Sequence, residues 1–223
     1  LDMRQDLGGA ERAYRESLAI NRQLLGDEHP TIATNLNNLA FTVYARGNHA
    51  EGIDLLRQAL EMRRRVLGPE HPAVAGNATS LAYWLVDEGA LDQASRLVEE
   101  GLAIRTKVLG PDHPQVAGTL TVKASLRLAQ RRYEDARQLA VEARSILLAA
   151  DLPDDSWQVA AAKATEGAAL TGLRRYADAE PLLTSSLPSL AGSPIPGLEQ
   201  KGRSRLVDLY VAWGEPAKAE RYR

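Results

Sequence analysis

The apolar residues of this chain recur at helical spacing over most of its length. Ile32, Leu36, Leu39 and Val43 fall three or four positions apart, so they share one face of a predicted α-helix. A second apolar stripe of the same kind follows within residues 53–67. Strands would instead show a strict alternation of apolar and polar residues, which is missing from the sequence. The pattern therefore predicts an all-α fold made of consecutive helices.

The helical pattern repeats every 42 residues. The hexapeptide LGDEHP at 25–30 returns as LGPEHP at 67–72 and as LGPDHP at 109–114. After residue 150 the interval slips, because RRYEDA at 131–136 returns as RRYADA at 174–179, 43 residues later. Self-similarity at a fixed interval of this length is typical of solenoids, in which each repeat is one small helical unit.

Each period predicts two antiparallel helices in one continuous array. The predicted pairs lie at 31–46 and 49–67, 73–88 and 91–109, 115–130 and 133–149, and 157–173 and 176–190, with half-units at 9–25 and about 197–223. The predicted domain organisation is a half-repeat 1–26, repeats 27–68, 69–110, 111–152 and 153–193, and a degenerate terminal repeat 194–223. Because the sequence begins within a repeat and ends in the opening turns of a helix, we expect it to be a fragment of a longer protein.

Small residues identify the kind of repeat. Leu36-x-x-Leu39-Ala40, followed by Gly52-x-x-x-Leu56-x-x-Ala59, resembles the tetratricopeptide repeat in the 42-residue form found in kinesin light chains. HEAT and armadillo repeats have similar periods but lack this placement of Gly and Ala and the LGxxHP link. The resemblance implies a right-handed superhelical solenoid of antiparallel helix pairs.

The histidine in each copy of the link raises the alternative of a metal or catalytic site. His29, His71 and His113 would lie at successive corners of the array, on the order of 10 Å apart or more. Zinc binds its nitrogen ligands at about 2.0–2.1 Å, so these three side chains cannot share one metal. A structural role accounts for the whole link: glycine ends one helix, proline begins the next, and the histidine or the preceding acid accepts a bond from free N–H groups. We therefore predict neither a metal site nor catalytic residues.

Composition excludes several classes of function. With 27 basic and 29 acidic residues, the chain has no cationic excess for nucleic acid. It has no apolar run of transmembrane length and no signal-peptide pattern, so we expect a cytoplasmic protein without membrane contact. Cysteine is absent, which removes disulfides and thiol chemistry. The sequence also shows no phosphate-binding loop or paired catalytic carboxylates, so we predict no cofactor and no enzymatic activity.

The concave groove is the most promising place for a function. In a stacked array the first helix of each repeat lines the inner surface. Projection from Leu39–Ala40 and its equivalents gives the predicted peptide-binding residues Asn37, Phe41, Tyr44, Thr79, Tyr83 and Thr121. The alternative for the three aromatic residues is that they pack against the next repeat. Trp84 and Trp213 likewise fit either the core or the groove.

The resemblance to kinesin light chains bears on this groove. In those proteins an Asn-Asn pair in the first helix clamps the backbone of a bound peptide, and Asn37–Asn38 matches that pair. Thr79–Ser80 and Thr121–Val122 occupy the equivalent positions of the next two repeats. Because the projected groove has basic residues only at its edge, we do not expect this chain to share the recognition of acidic peptides with kinesin light chains.

The sequence therefore predicts a protein-interaction scaffold that binds a peptide or a partner domain in its concave groove. The alternative is a regulatory or sensor arm of a multidomain bacterial signalling protein, such as a kinase, transcription regulator or protease. The composition, rich in Ala, Arg and Leu and poor in Lys, is typical of high-GC bacteria. We also expect self-association through exposed terminal helices, because the first half-repeat has no covering helix to bury Leu18, Leu24 and Leu25 fully.

Overall fold

The computed structural model describes residues 6–223, and these form eleven α-helices followed by a 3₁₀ turn. The helices are α1 (Leu7–Leu25), α2 (Pro30–Ala45), α3 (His49–Leu67), α4 (Pro72–Asp87), α5 (Leu91–Leu109), α6 (Pro114–Ala129), α7 (Tyr133–Ala149), α8 (Trp157–Gly172), α9 (Tyr176–Ala191), α10 (Leu198–Trp213) and α11 (Pro216–Ala219), and the turn is Glu220–Tyr222. No strand occurs within residues 6–223, and the predicted all-α repeat array is confirmed.

The helices pack as the predicted antiparallel pairs. Helices α2 and α3, α4 and α5, α6 and α7, and α8 and α9 form the four pairs, and each pair stacks on the next. For these pairs the observed and predicted boundaries agree to within one residue, whereas the predicted half-unit 197–223 forms α10, α11 and the 3₁₀ turn. The second helix shortens from 19 residues in α3 and α5 to 17 in α7 and 16 in α9, which accompanies the slip of the repeat after residue 150.

The LGxxHP links have the structural role that the sequence predicts. Nδ1 of His71 accepts a hydrogen bond from the backbone N–H of Ala73 at 3.1 Å, and His29 and His113 cap their helices in the same way. Gly68 has φ 88° and ψ 154°, a region that is essentially restricted to glycine and differs from the left-handed helical conformation expected at a helix end. In the fourth link, Ser156 replaces histidine as the cap.

Close contact between the paired helices depends on small residues. Ala40 and Ala59 are fully buried. A Cβ atom added at Gly52 would lie 2.8 Å from Cβ of Tyr44, which is closer than Cβ atoms pack, and 3.1 Å from the carbonyl oxygen of Ala40, which is a tight contact. The small residues on α2 and α3 therefore set the distance between the two helices.

Helix α1 is only partly covered. Leu24 is 75% exposed and Leu25 42% exposed, and Ile20 is exposed beside them. The expectation was wrong for Leu18, because its side chain is buried in the core cluster that includes α2 and α3. The uncovered apolar surface of α1 is thus confined to its C-terminal half.

Helix α10 has a position that the sequence does not predict. It packs on α9 and α8 as the first helix of a further repeat. It also contacts α4 across the concave side, because Nζ of Lys201 lies 2.5 Å from Oδ1 of Asp87. The loop that precedes α10 lies near α1 and α2, since Ile195 and Pro196 share a cavity with Leu7 and Ala45. The described array therefore curves until its C-terminal part faces its first repeats.

Candidate functional site

The concave groove is the surface formed by the first helices α2, α4, α6 and α8, and α10 covers part of it. A cavity of about 260 Å³ remains between α10 and these helices. We call it the central cavity. Its lining includes Phe41, Thr79, Tyr83, Trp84, Arg105, Gly118, Thr121, Trp157, Ala161, Thr165, Leu198, Lys201 and Arg205.

The central cavity brings together four of the six predicted groove residues. Phe41, Thr79, Tyr83 and Thr121 all line it. Tyr44 lines a neighbouring cavity of about 450 Å³ at the C-terminal ends of α2 and α4.

Asn37 lines neither cavity. Its side chain is half-buried, and its Nδ2 donates to Oδ1 of Asn38 at 3.2 Å. The asparagine pair is therefore separate from the aromatic residues with which the sequence grouped it.

The aromatic residues of α2 pack against the next repeat. The rings of Tyr44 and Trp84 stack with centroids 4.1 Å apart and an interplanar angle of 7°. Phe41 contacts the same indole at 4.9 Å in a tilted arrangement, and the rings of Tyr44 and His49 stack at 4.3 Å. Burial raises the pKa of Tyr44 to about 12, and the carboxylates of Asp87 and Glu88 act in the same direction.

Trp84 is a core residue that also forms a cavity wall. It is 1% exposed. Because the rings of Tyr44 and Phe41 both pack against the indole, its position is fixed. An occupant of the central cavity would meet a preformed aromatic surface there.

The two threonine hydroxyls of the predicted groove donate to their own helices. Oγ1 of Thr79 donates to the carbonyl oxygen of Ala75 at 2.8 Å, and Oγ1 of Thr121 donates to that of Ala117 at 3.0 Å. Each hydroxyl has one proton, so these groups can accept a hydrogen bond from an occupant more readily than they can donate one. They cannot replace an asparagine side chain, which both donates and accepts.

Three basic side chains line the central cavity, and the sequence projection missed all three. Arg105 reaches it from the second helix α5, whereas Lys201 and Arg205 come from α10. Burial lowers the pKa of Arg105 and Arg205, and it lowers that of Lys201 although Asp87 opposes the effect. The ammonium of Lys201 also lies 4.2 Å from the centroid of the Tyr83 ring, a cation–π distance.

The 42-residue repeat could have indicated one of these three residues, Arg105. Arg63 lies 42 positions before Arg105. Nη1 of Arg63 donates to the carbonyl oxygen of Ala73 and to Oδ1 of Asn77, at 3.2 and 2.6 Å. Arg105 makes the equivalent pair of bonds one repeat later, to Gln115 at 3.0 Å and Thr119 at 2.7 Å. Recurrence at this position indicates an arginine that reaches from a second helix to the first helix of the next repeat.

Residues 6–223 contain neither a candidate metal site nor a membrane-spanning helix. No three His, Asp or Glu side chains in this part of the chain cluster closely enough to hold a metal ion. Among the same residues, none of the helices has the length and apolar character needed to cross a membrane.

Solved structures of similar fold are repeat proteins of the kinesin light chain kind. BtubC (BKLC) from P. vanneervenii is 20% identical with a TM-score of 0.67, over 97% of this chain and 87% of that one. A candidate kinesin light chain from Podospora anserina, with nearly identical TPR-like repeats, is similar in two forms. A variant with a single substitution is 24% identical, with a TM-score of 0.66 over 83% of this chain and 87% of its own. The other form is 23% identical, with a TM-score of 0.64 over 84% and 89%.

Family models agree with the fold. A tetratricopeptide repeat model matches residues 31–107 and again residues 75–149, which together are more than half of the chain. A second tetratricopeptide repeat model matches residues 1–31. No curated protein matches the chain significantly. From its 42-residue helix pairs and these matches, we conclude that the chain belongs to the tetratricopeptide repeat family.

Proposed function

We propose that this array is a protein-interaction scaffold that binds a peptide or a partner domain in its concave groove. Tetratricopeptide repeats generally serve as protein–protein interaction modules. Scaffolds of this kind are typically not enzymes, and we propose a binding role without catalysis.

The observation that carries the proposal is the lining of the groove. Phe41 and Tyr83 remain half-buried at a cavity that opens on the concave side, where their rings can receive an apolar side chain of a partner. Asn37 and Asn38 lie on the same first helix as Phe41 and offer amide groups that can pair with an extended backbone. Amide groups that lie about one helical turn before an aromatic anchor on the same helix suit peptide recognition.

Helix α10 limits where a partner can bind. Its residues Leu198, Lys201 and Arg205 line the central cavity together with Phe41. A peptide must therefore use the part of the groove beside Asn37 that α10 leaves open, or it must displace α10. We propose that the peptide binds beside Asn37, because α10 is anchored by its packing on α8 and α9.

Affinity capture with the purified protein tests this proposal. The test variant combines Asn37→Ala with Tyr83→Ala, and the matched control combines Arg57→Ala with Gln58→Ala, two exposed positions on the second helix α3. We expect partners captured by the wild type and the control to be lost from the groove variant. Circular dichroism must show the same helical content in all three. Retention of every partner by a folded groove variant would refute groove binding.

The alternative function is a regulatory or sensor arm of a multidomain bacterial signalling protein. The contact between Lys201 and Asp87 favours it, because this contact closes the array across the groove and could be made or broken. Spin labels at Glu88→Cys and Gln200→Cys, which line one cavity from opposite sides, would follow such a change in a chain that has no other cysteine. We expect one short distance in the wild-type background and a second, longer distance when Asp87→Asn is added. A single unchanged distance would contradict a switchable closure.

Self-association through α1 is also proposed. Leu24 and Leu25 present an apolar surface next to Ile20, which a second copy could cover. Light scattering of the wild type and of Leu24→Glu over a range of concentrations tests this. We expect the wild type to form dimers and the variant to stay monomeric, and a monomeric wild type at all concentrations would refute the proposal.

A further inference from the structure

Two arginines line the central cavity without an ion-pair partner. Within residues 6–223 no carboxylate lies within 4 Å of the guanidinium group of Arg105 or Arg205, since neither takes part in a salt bridge there. Asp87 and Asp208 act on the charge of Arg205 only at longer range. The cavity therefore holds two positive charges that this part of the chain does not neutralise locally.

Several other partly buried cations of the chain are paired. Arg64 bonds to Glu100 at 2.6 Å, and Lys163 bonds to Asp154 at 2.6 Å. Lys201, on the same wall as Arg205, is paired with Asp87. Burying a cation without a counter-charge is costly, which is why such groups usually have one. Two unpaired guanidinium groups at one cavity thus indicate that an anion can complete the site.

The hydrogen-bonding capacity of both arginines is only partly used. Nη1 of Arg205 donates to Oγ1 of Thr165 at 3.2 Å. Nη1 of Arg105 donates to α6, but its Nε is buried and has no partner among residues 6–223. A guanidinium group has five N–H donors, so donors remain for an acceptor that enters the cavity.

Arg63 shows which part of this arrangement is structural. It makes the same two bonds as Arg105 one repeat earlier, and burial also lowers its pKa. Arg63 does not line the central cavity, where Arg105 and Arg205 lie together. The pair of hydrogen bonds that links a second helix to the next first helix, here called the clamp, is therefore present in both repeats. Only Arg105 of the two clamp arginines lines the same cavity as Arg205.

The rest of the cavity suits a flat apolar body. Tyr83, Trp84 and Trp157 contribute aromatic surface. Gly118 and Ala161 add little bulk to the wall, and a Cβ atom at Gly118 would have nothing within 4 Å. A volume of about 260 Å³ accommodates a small ring system and excludes a folded partner or a long peptide.

We propose that the central cavity binds a small aromatic carboxylate, with its carboxylate on the guanidinium groups of Arg105 and Arg205 and its ring against the aromatic wall. The proposal is separate from peptide binding beside Asn37, because it concerns a small molecule held by Arg105 and Arg205, although both proposals use the ring of Tyr83.

Pairs of compounds that differ only in charge provide the test. Benzoate, indole-3-acetate and 2-naphthoate are compared with benzamide, indole-3-acetamide and 2-naphthamide at millimolar concentration, by isothermal titration and by two-dimensional NMR. We expect at least one carboxylate to bind at least about tenfold more tightly than its amide, as a charge-assisted hydrogen bond provides. Its chemical-shift changes should centre on Trp84 and Trp157.

Variants complete the test. Arg205→Gln and Arg105→Gln are each expected to weaken binding of that carboxylate by about tenfold and to leave the amide unaffected. Arg63→Gln, the matched control, removes the same clamp outside the cavity and should bind the carboxylate like the wild type. Equal affinity for acid and amide, no binding of any carboxylate, or equal effects of Arg63→Gln and Arg105→Gln would each overturn the proposal. Melting curves of all variants must show that they are folded.

Discussion

Nζ of Lys201 lies 2.5 Å from Oδ1 of Asp87, which joins α10 to α4 across 114 positions of sequence. The same ammonium lies over the ring of Tyr83, so one lysine connects the last long helix to both a charged and an aromatic residue of α4. Lys201 lines the central cavity, and both residues of the bridge line the neighbouring one. The bridge makes the shape of the groove depend on the C-terminal part of the chain.

The substitution Asp87→Asn should weaken this closure. It removes the charge partner of a lysine whose side chain is 23% exposed, and we expect the free energy of unfolding to fall by about 1 kcal/mol, since the aspartate is partly solvated. Urea unfolding measures the change. Asp54→Asn, which breaks an exposed pair with Arg57 within α3, is the control and should change stability by less than about 0.5 kcal/mol. Equal effects of the two substitutions would show that the bridge contributes no more than a surface pair.

The histidine caps should contribute measurable stability. In His71→Ala the backbone N–H of Ala73 loses its acceptor, so we expect a loss of about 1 kcal/mol in thermal or urea unfolding. His71→Asn keeps an acceptor of similar reach and should retain most of that stability. If alanine and asparagine are equally tolerated, the hydrogen bond to Ala73 is not the reason for the histidine.

Glycine in place of either of two turn arginines should make the protein more stable. Arg131 has φ 59° and Arg174 has φ 60°, a left-handed conformation that costs a residue with a Cβ atom roughly 1–2 kcal/mol. Allowing for the greater flexibility of glycine in the unfolded chain, we expect Arg131→Gly to stabilise the protein by about 0.5–1 kcal/mol. Gly89 has φ 76° in the equivalent turn of an earlier repeat, so Gly89→Ala should destabilise the protein. Calorimetry should show shifts of opposite sign, and shifts of the same sign would contradict the argument.

The pH dependence of stability should include a contribution from Glu180. Oε1 of Glu180 accepts from Oη of Tyr210 at 2.9 Å and lies 3.3 Å from Nζ of Lys218, and these partners lower the pKa of the carboxyl group. Since the folded pKa is below the unfolded value, the stabilisation is present above the unfolded pKa and is lost as pH falls through the folded one. We expect Glu180→Gln to be less stable than the wild type at pH 7, with the difference beginning to shrink near the unfolded pKa of about 4.3 and disappearing below the lower folded pKa. A difference independent of pH would assign the effect to packing instead of charge.

The fold could be predicted because its determinants are local and repeated. Helix boundaries depend on capping residues and on apolar spacing within about twenty positions. The link around His71 ends one helix and begins the next, and its recurrence every 42 residues fixes the register of the array. The same register placed Phe41 and Tyr83 on equivalent faces of α2 and α4, and both line the central cavity.

The candidate site was predicted less completely, for two physical reasons. For Tyr44 the sequence left groove exposure and packing against the next repeat as alternatives. Trp84 of the next repeat stacks on it, and ring stacking depends on the distance and angle between repeats. Arg105 belongs to a second helix, and only its long side chain carries the guanidinium group between two first helices. A projection that considers the position of the backbone alone does not find such a residue.

The sequence by itself determined the helices, their pairing, the caps at their ends and the tetratricopeptide family, since each of these depends on neighbours within one repeat of 42 residues. Only the tertiary structure decided that α10 faces α4, that Lys201 meets Asp87, and that Arg205 shares a cavity with Arg105. Small rotations from one repeat to the next accumulate along a solenoid, so contacts between distant repeats depend on their sum. No single repeat specifies that sum, so the contacts across the groove could be found only from the tertiary structure.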